Sequence, residues 1–320
     1  MKALRISHGI RCFAAGAASV MLLGLTACSA QVGEPEGTSA DSGDLPEGAV
    51  PEIAAMVPEE VRATGVLKVA SEVYPPAVIV PEDGGAPSGF EIETAREVAK
   101  IFGLEYQPKI IPFDSLIPSL QAARYDLAFG LIALTDERIK VLSFVQNHDS
   151  VDGFLVARDS EITELTDQYD LCGLTLSVLV GSIEELRARD ISTMCGDEGE
   201  PALTVKTFKD QANADLAVET GRVDIGFSSS TQAAYNADNS DGRLRYVEQP
   251  WTVENYGTGA VIADTEYQDE MAEAVEAALD HMIETGRQGE ILDKDNYGYG
   301  KVTDAVTFRK GAELEPVVTD

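Results

Sequence analysis

The stretch Gly130-Leu131-Ile132-Ala133-Leu134-Thr135-Asp136-Glu137-Arg138 decides how this chain is read. Before it, Asp126-Leu127-Ala128-Phe129 is the apolar run of a buried strand. After it, Glu137 to Phe144 has the apolar spacing of a short helix, with Thr135 placed to cap it. A strand end, a bend and a helix start therefore meet at one point. Open α/β sheets take small ligands outside the carboxyl ends of their strands. A helix N-terminus offers free N–H groups and a partial positive charge to an anion. Arg138 falls in the first turn, where its own charge opposes the helix dipole. A bound carboxylate, gripped by the guanidinium through two hydrogen bonds, would resolve that misfit.

Outward from this stretch the chain reads as α/β. Val66 to Ala70 and Tyr106 to Ile111 are expected strands. Thr94 to Phe102 is an expected helix with a capping box Thr94…Glu97 and a stop at Gly103. Asp114 should cap a helix running to Ala123, with Pro118 tolerated in its first turn. Gly153 to Val156 reads as a strand crossing between lobes. Leu174 to Val180 reads as a further strand, followed by Gly181 and a capping box Ser182…Glu185. Asp210 to Thr220 is helical, and Arg222 to Phe227 is a strand. The segment Arg124-Tyr125-Asp126-Leu127-Ala128-Phe129-Gly130 parallels Arg222-Val223-Asp224-Ile225-Gly226-Phe227-Ser228, which predicts two similar lobes. Tyr267 to Thr285 is a long helix whose stripe Met271, Ala274, Val275, Ala278, Leu279, Met282 and Ile283 belongs to a core.

Composition narrows the function. The 320 residues carry a formal charge of −31 and are 44% hydrophobic. So acidic a chain repels nucleic-acid phosphates and anionic lipid surfaces, so no nucleic-acid partner is expected. Lys2, Arg5 and Arg11 precede an apolar run, Phe13 to Leu25, that is too short to span a bilayer. That run ends in Leu25-Thr26-Ala27-Cys28, which resembles the bacterial lipoprotein box. Residues 1–27 are thus expected to be a signal peptide, with Cys28 lipidated and 28–57 a flexible acidic tether. Cys12 leaves with the signal, so Cys172 and Cys195 remain in an oxidising compartment and are expected to form a disulfide. The loop it closes is worth about 3 kcal/mol in a chain-entropy account. The two cysteines have no histidine cluster beside them, so no metal site and no cofactor are expected.

In this order the pieces resemble the family-3 extracytoplasmic solute-binding proteins of ABC importers, over roughly residues 60–297. Tyr74-Pro75-Pro76, Gly89-Phe90-Glu91-Ile92-Glu93, the run from Phe113-Asp114-Ser115-Leu116 through Tyr125-Asp126 to Thr135-Asp136-Glu137-Arg138, and Tyr256-Gly257 carry the resemblance. It implies a two-lobed, type II periplasmic-binding-protein-like α/β fold with two crossing strands, near 148–157 and 247–256. Lobe I would comprise 58–152 and 252–297, lobe II 153–251, with 298–320 as a C-terminal extension. It also implies a lipid-anchored, monomeric receptor outside the cytoplasmic membrane. Such a receptor captures a small carboxylate-bearing solute, an amino acid or derivative, and hands it to permease subunits.

The resemblance also supplies a ligand set. Tyr74 and Phe113 match aromatic walls, and Arg138 the clamp on the ligand carboxylate. Leu131 and Ala133 match neighbours that offer backbone groups, Gly181 and Ser182 the loop of the second lobe. Ser71 and Glu72 lie beside Tyr74. Ser229 stands where amino-acid-binding relatives usually place an aspartate for the α-ammonium. Either Glu72 supplies the missing charge or the ligand lacks a free ammonium. No nucleophile elbow, phosphate loop or metal spacing is present, so no catalytic residue is expected. The alternatives are a dehydratase of cyclic carboxylates on the same scaffold, with Glu72 as its acid or base, and a solute sensor without transport.

Overall fold

A computed structural model describes residues 45–251, 257–294 and 300–314. The expected signal peptide, Cys28, the start of the tether and Tyr256 lie outside the described residues. Two one-turn helices, α1 (Pro51–Ala54) and α2 (Glu59–Arg62), lead into β1 (Val66–Ser71), α3 (Phe90–Ile101), β2 (Glu105–Ile110), α4 (Leu116–Gln121), β3 (Leu127–Ala128), α5 (Asp136–Ile139) and β4 (Ser143–His148). The chain continues through β5 (Asp152–Ala157), β6 (Thr175–Leu179), α6 (Ile183–Asp197), β7 (Thr204–Phe208), α7 (Gln211–Glu219), β8 (Ile225–Ser229), α8 (Ser230–Asp238) and β9 (Leu244–Glu248). It returns with β10 (Thr258–Ile262), α9 (Gln268–Glu284), α10 (Arg287–Lys294) and β11 (Lys301–Phe308).

These strands make two sheets. One is six-stranded in the order β11-β4-β10-β3-β1-β2, the other five-stranded in the order β7-β6-β8-β5-β9. In each, three strands run parallel: β2, β1 and β3 in the first, β7, β6 and β8 in the second. The remaining pairings are antiparallel. The chain passes between sheets after β4 and again between β9 and β10. The two lobes belong to one compact unit.

Alternation along the strands explains why both faces of each sheet are covered. Leu67, Val69 and Leu127 pack with α3, α9 and α10, whereas Ala70 and Ala128 face α4, Ile132 and Phe144. In lobe II, Phe154, Val156, Leu176, Val178 and Phe227 share a core with α6, while Leu155 lies with Ala217 and Val218 of α7 and Ala233 of α8. Pro108 in β2 sits on an edge strand, where a missing N–H costs no sheet bond. The repeat seen in the sequence is structural. Asp126 takes the Lys68 N–H on its carboxylate at 2.7 Å and returns its own N–H to the Lys68 carbonyl. Asp224 does the same with Thr175, at 2.7 Å. Each aspartate pins the start of its lobe's central strand. Cys172 and Cys195 are disulfide-bonded, tying the turn before β6 to α6.

Several boundaries differ from expectation. Residues 45–57 are not all tether: Ile53 and Val57 are buried in the lobe I core. Residues 300–314 are not a mere extension, since β11 adds an antiparallel edge to β4. The helix expected from Thr94 starts at Phe90, so Thr94 caps nothing and its hydroxyl donates to the Phe90 carbonyl at 2.8 Å. Gly89 precedes that helix at φ 110°, with the Pro76 and Ala77 carbonyls against the space a Cβ would fill. The helix read over Glu137–Phe144 is one turn, α5, and Phe144 is a fully buried strand residue. Burial on the sheet overrides the local spacing there.

Candidate functional site

The carboxyl ends of β1 and β3 in lobe I face those of β6 and β8 in lobe II, and a cavity lies between them. Tyr74, Phe113, Leu131, Ala133, Arg138, Ser182 and Ser229 line it, together with Gly130, Ser150, Asp152, Leu179, Ile183, Glu184, Arg187 and Thr258. Gly181 joins through its carbonyl, which accepts a hydrogen bond from Arg138. Ser71 and Glu72 are buried nearby but are not in the lining.

Arg138 is built from its cap outward. The Thr135 hydroxyl accepts the Arg138 backbone N–H at 3.2 Å and fixes the single turn of α5. The guanidinium then folds back. Nη1 donates to the Ala133 carbonyl at 2.6 Å, and Nη2 crosses the cleft to the Gly181 carbonyl at 2.8 Å. Its Cζ lies 5.3 Å from the centre of the Phe113 ring, within cation–π range. Burial pulls its pKa down to about 10, opposed by the nearby Glu184 and Glu137 carboxylates, so it remains a cation at neutral pH. In a one-turn helix the dipole is a minor partner. The buried charge is instead answered by carbonyls of both lobes.

A second bridge spans the cleft. The Tyr74 hydroxyl accepts the Ser229 N–H at 3.0 Å and donates to the Ser229 hydroxyl at 3.2 Å. Burial raises the Tyr74 pKa well above the ordinary phenol value, with Glu184 adding to the shift, so the hydroxyl keeps its proton. Ser229 ends β8 and caps α8, accepting the Gln232 N–H at 3.2 Å. In lobe II, Ser182 caps α6 by accepting the Glu185 N–H, and the Glu185 carboxylate takes the Gly181 N–H at 2.7 Å.

The loop after β3 is strained and supported from below. Leu131 has φ 55°, a left-handed conformation that costs a branched side chain about 1–2 kcal/mol. The buried Glu91 carboxyl accepts from the Gly130 N–H and the Asn147 side chain, and lies 3.3 Å from His148 Nδ1. Burial raises Glu91 to about 8 and lowers His148 to about 3, so both are neutral at pH 7.

Glu72 cannot supply the charge that position 229 lacks. Burial raises it to about 8 despite the Phe113 backbone N–H donated to it, so it is protonated at neutral pH. The acids that line the cavity are Asp152 and Glu184, neither chosen from the sequence. Asp152 is opposite Ser229 in the β5–β8 pairing, and Arg187 Nη1 lies 2.5 Å from both its oxygens. Burial pushes Asp152 up to about 7, with Arg187 opposing and Glu184 reinforcing the shift. Glu184, in the first turn of α6, is 9% exposed. The signal for Asp152 was a register, which a single chain does not display. Glu184 was hidden by its position in a helix start, where acids are common for capping reasons alone.

Two α/β lobes joined by two crossings, with a polar cavity at facing strand ends, define a two-lobed solute-binding protein. The chain belongs to the bacterial extracellular solute-binding proteins, family 3, whose profile matches residues 67–295. Among its relatives is the arginine-binding protein ArgT of Corynebacterium glutamicum, 29% identical over 247 residues, covering 76% of this chain and 78% of ArgT. The L-cystine-binding protein TcyJ of Escherichia coli K12 is 29% identical over 168 residues, 52% of this chain and 59% of TcyJ. An ancestral arginine-binding protein solved with arginine bound superposes with a TM-score of 0.64 at 26% identity, covering 72% of this chain and 97% of that one.

Proposed function

We propose that this chain is the capture component of an ABC importer for an α-amino acid or a close derivative. The observation that carries this reading is Arg138: a buried guanidinium facing the interlobe cavity, where a solute carboxylate would meet a fixed cation. Tyr74 and Phe113 form walls for the solute's body, and Leu131, Ala133, Ser182 and Ser229 present backbone and hydroxyl groups around it. A solute touching both lobes favours the closed form by its differential affinity, and the closed form is what permease subunits would read. Relatives whose names give arginine and cystine support the amino-acid class and leave the side chain open. Among the described residues no group of three or more histidine, cysteine or acidic side chains is placed to hold a metal ion. Lipid attachment at Cys28 and a monomeric state outside the cytoplasmic membrane complete the proposal. Radiolabelled palmitate incorporation, lost in Cys28→Ala, tests the anchor.

The test of the function is a thermal-shift screen of the purified protein, unfolded and refolded to strip carried solute. The panel holds the twenty standard L-α-amino acids, L-cystine and simple carboxylates. A solute at a hundredfold over its dissociation constant adds about 2.7 kcal/mol, a clear rise in Tm. A rise with at least one amino acid is expected; a flat panel overturns the reading.

A further inference from the structure

Two opposite charges look into one cavity without meeting. Arg138, from lobe I, sends its two amino groups to the carbonyls of Ala133 and Gly181. Glu184, from the first turn of α6 in lobe II, lines the same cavity and is 9% exposed. The pair is not closed into an ion pair, yet Glu184 acts on the Arg138 charge more strongly than Glu137 does. Asp152 is already engaged by Arg187, and Ser229 is engaged by Tyr74. Glu184 therefore stands as the cavity carboxylate without a cation of its own among the described residues.

This arrangement chooses between two kinds of solute. One bearing only a carboxylate answers Arg138 and leaves Glu184 desolvated and unpaired, which is expensive. One with a positive group close to its carboxylate answers both charges at once. The geometry points to Glu184 as the acceptor for the solute's α-ammonium, from α6 rather than from position 229, so that the solute is a free α-amino acid and not an N-blocked acid or simple carboxylate. The inference rests on the receptor reading above and adds the recognised group.

Calorimetry with the twenty L-α-amino acids, each beside its Nα-acetyl form, tests it. The wild type should prefer the free form of its best binder by a hundredfold or more. Glu184→Gln should weaken that free form at least thirtyfold and change the Nα-acetyl form less than threefold, collapsing the preference. Glu184→Ala, checked like the first variant by circular dichroism and Tm, should do the same, so that one misfolded variant does not decide the matter. If the wild type binds but both folded variants keep the preference, or lose both forms equally as a side-chain contact would, Glu184 is not the ammonium site and the receptor reading stands. If the wild type binds no amino acid in either form, both fall together.

Discussion

A single guanidinium sets the terms of recognition. Arg138 is buried, hydrogen-bonded to carbonyls from both lobes and close to the Phe113 ring. Truncating one partner of a desolvated charged contact costs about 2–5 kcal/mol, so Arg138→Ala should weaken the best binder of the panel by about a hundredfold in calorimetry. A loss within twofold would remove the carboxylate clamp. Tyr74→Phe is subtler. It deprives the Ser229 N–H of its acceptor at the lobe contact, a loss of about 1–3 kcal/mol if no water replaces it. About tenfold weaker binding is expected, with a more open average shape in small-angle scattering. Arg138 could be read from sequence in its own capped turn, and Tyr74 and Phe113 through the family resemblance that Tyr74-Pro75-Pro76 and Phe113-Asp114-Ser115-Leu116 carry. Asp152 and Glu184 could not. Asp152 reaches the cavity through its register with Ser229, and Glu184 through the facing of one lobe against the other.

Elements were legible in proportion to their length and periodicity. The stripe on α9 is buried much as its spacing required, with Met271, Ala274, Val275, Ala278, Leu279 and Met282 in the lobe I core. The two buried residues of β3 were legible, but α5 misled: its four residues carry too little pattern to separate a helix from the strand that follows. β11 was missed because half of Lys301–Phe308 is polar and its apolar residues do not alternate, and it gains its strand by pairing with β4. The ion pairs of the two residues just past it, Arg309 with Asp269 and Glu273 and Lys310 with Asp264, are exposed and contribute little. The strand pairing and Ala305 burial count for more. Removing residues 300–320 should lower Tm by several degrees in calorimetric scans, and an unchanged Tm would show β11 to be dispensable. The Cys172–Cys195 link closes a loop of 23 residues, and replacing both cysteines with serine should cost about 3 kcal/mol in chemical denaturation.

At the scale of the whole molecule the acid load shapes stability. Glu72 and Glu91 are raised by burial to about 8, above the 4.5 of an ordinary glutamate. The native state therefore holds protons that the unfolded chain releases, and stability contributed by these groups is full below about 4.5 and falls as pH rises to about 8. His148, lowered by burial from 6.5 to about 3, acts the other way, losing stability as pH falls through that window. Asp152 and Asp215, which burial pushes from 3.8 up to about 7, act in the same direction as the glutamates, so the acids outweigh the histidine between 4.5 and 6.5 and the optimum should lie on the acid side of neutrality, below about pH 5. Tm measured from pH 4 to 9 checks this, and Glu91→Gln should flatten the decline above pH 5. A rise in Tm from pH 5 to 8 would contradict the burial of these carboxyls as neutral acids. Lobe II is a single uninterrupted segment whose end strands β5 and β9 pair with each other, whereas the lobe I sheet takes strands from both ends of the chain. A polypeptide emerging N-terminus first can complete lobe II while lobe I still waits for β10 and β11, so the second lobe should acquire protection from hydrogen exchange before the first. The cleft, which needs both, is the last part of the molecule to come into being.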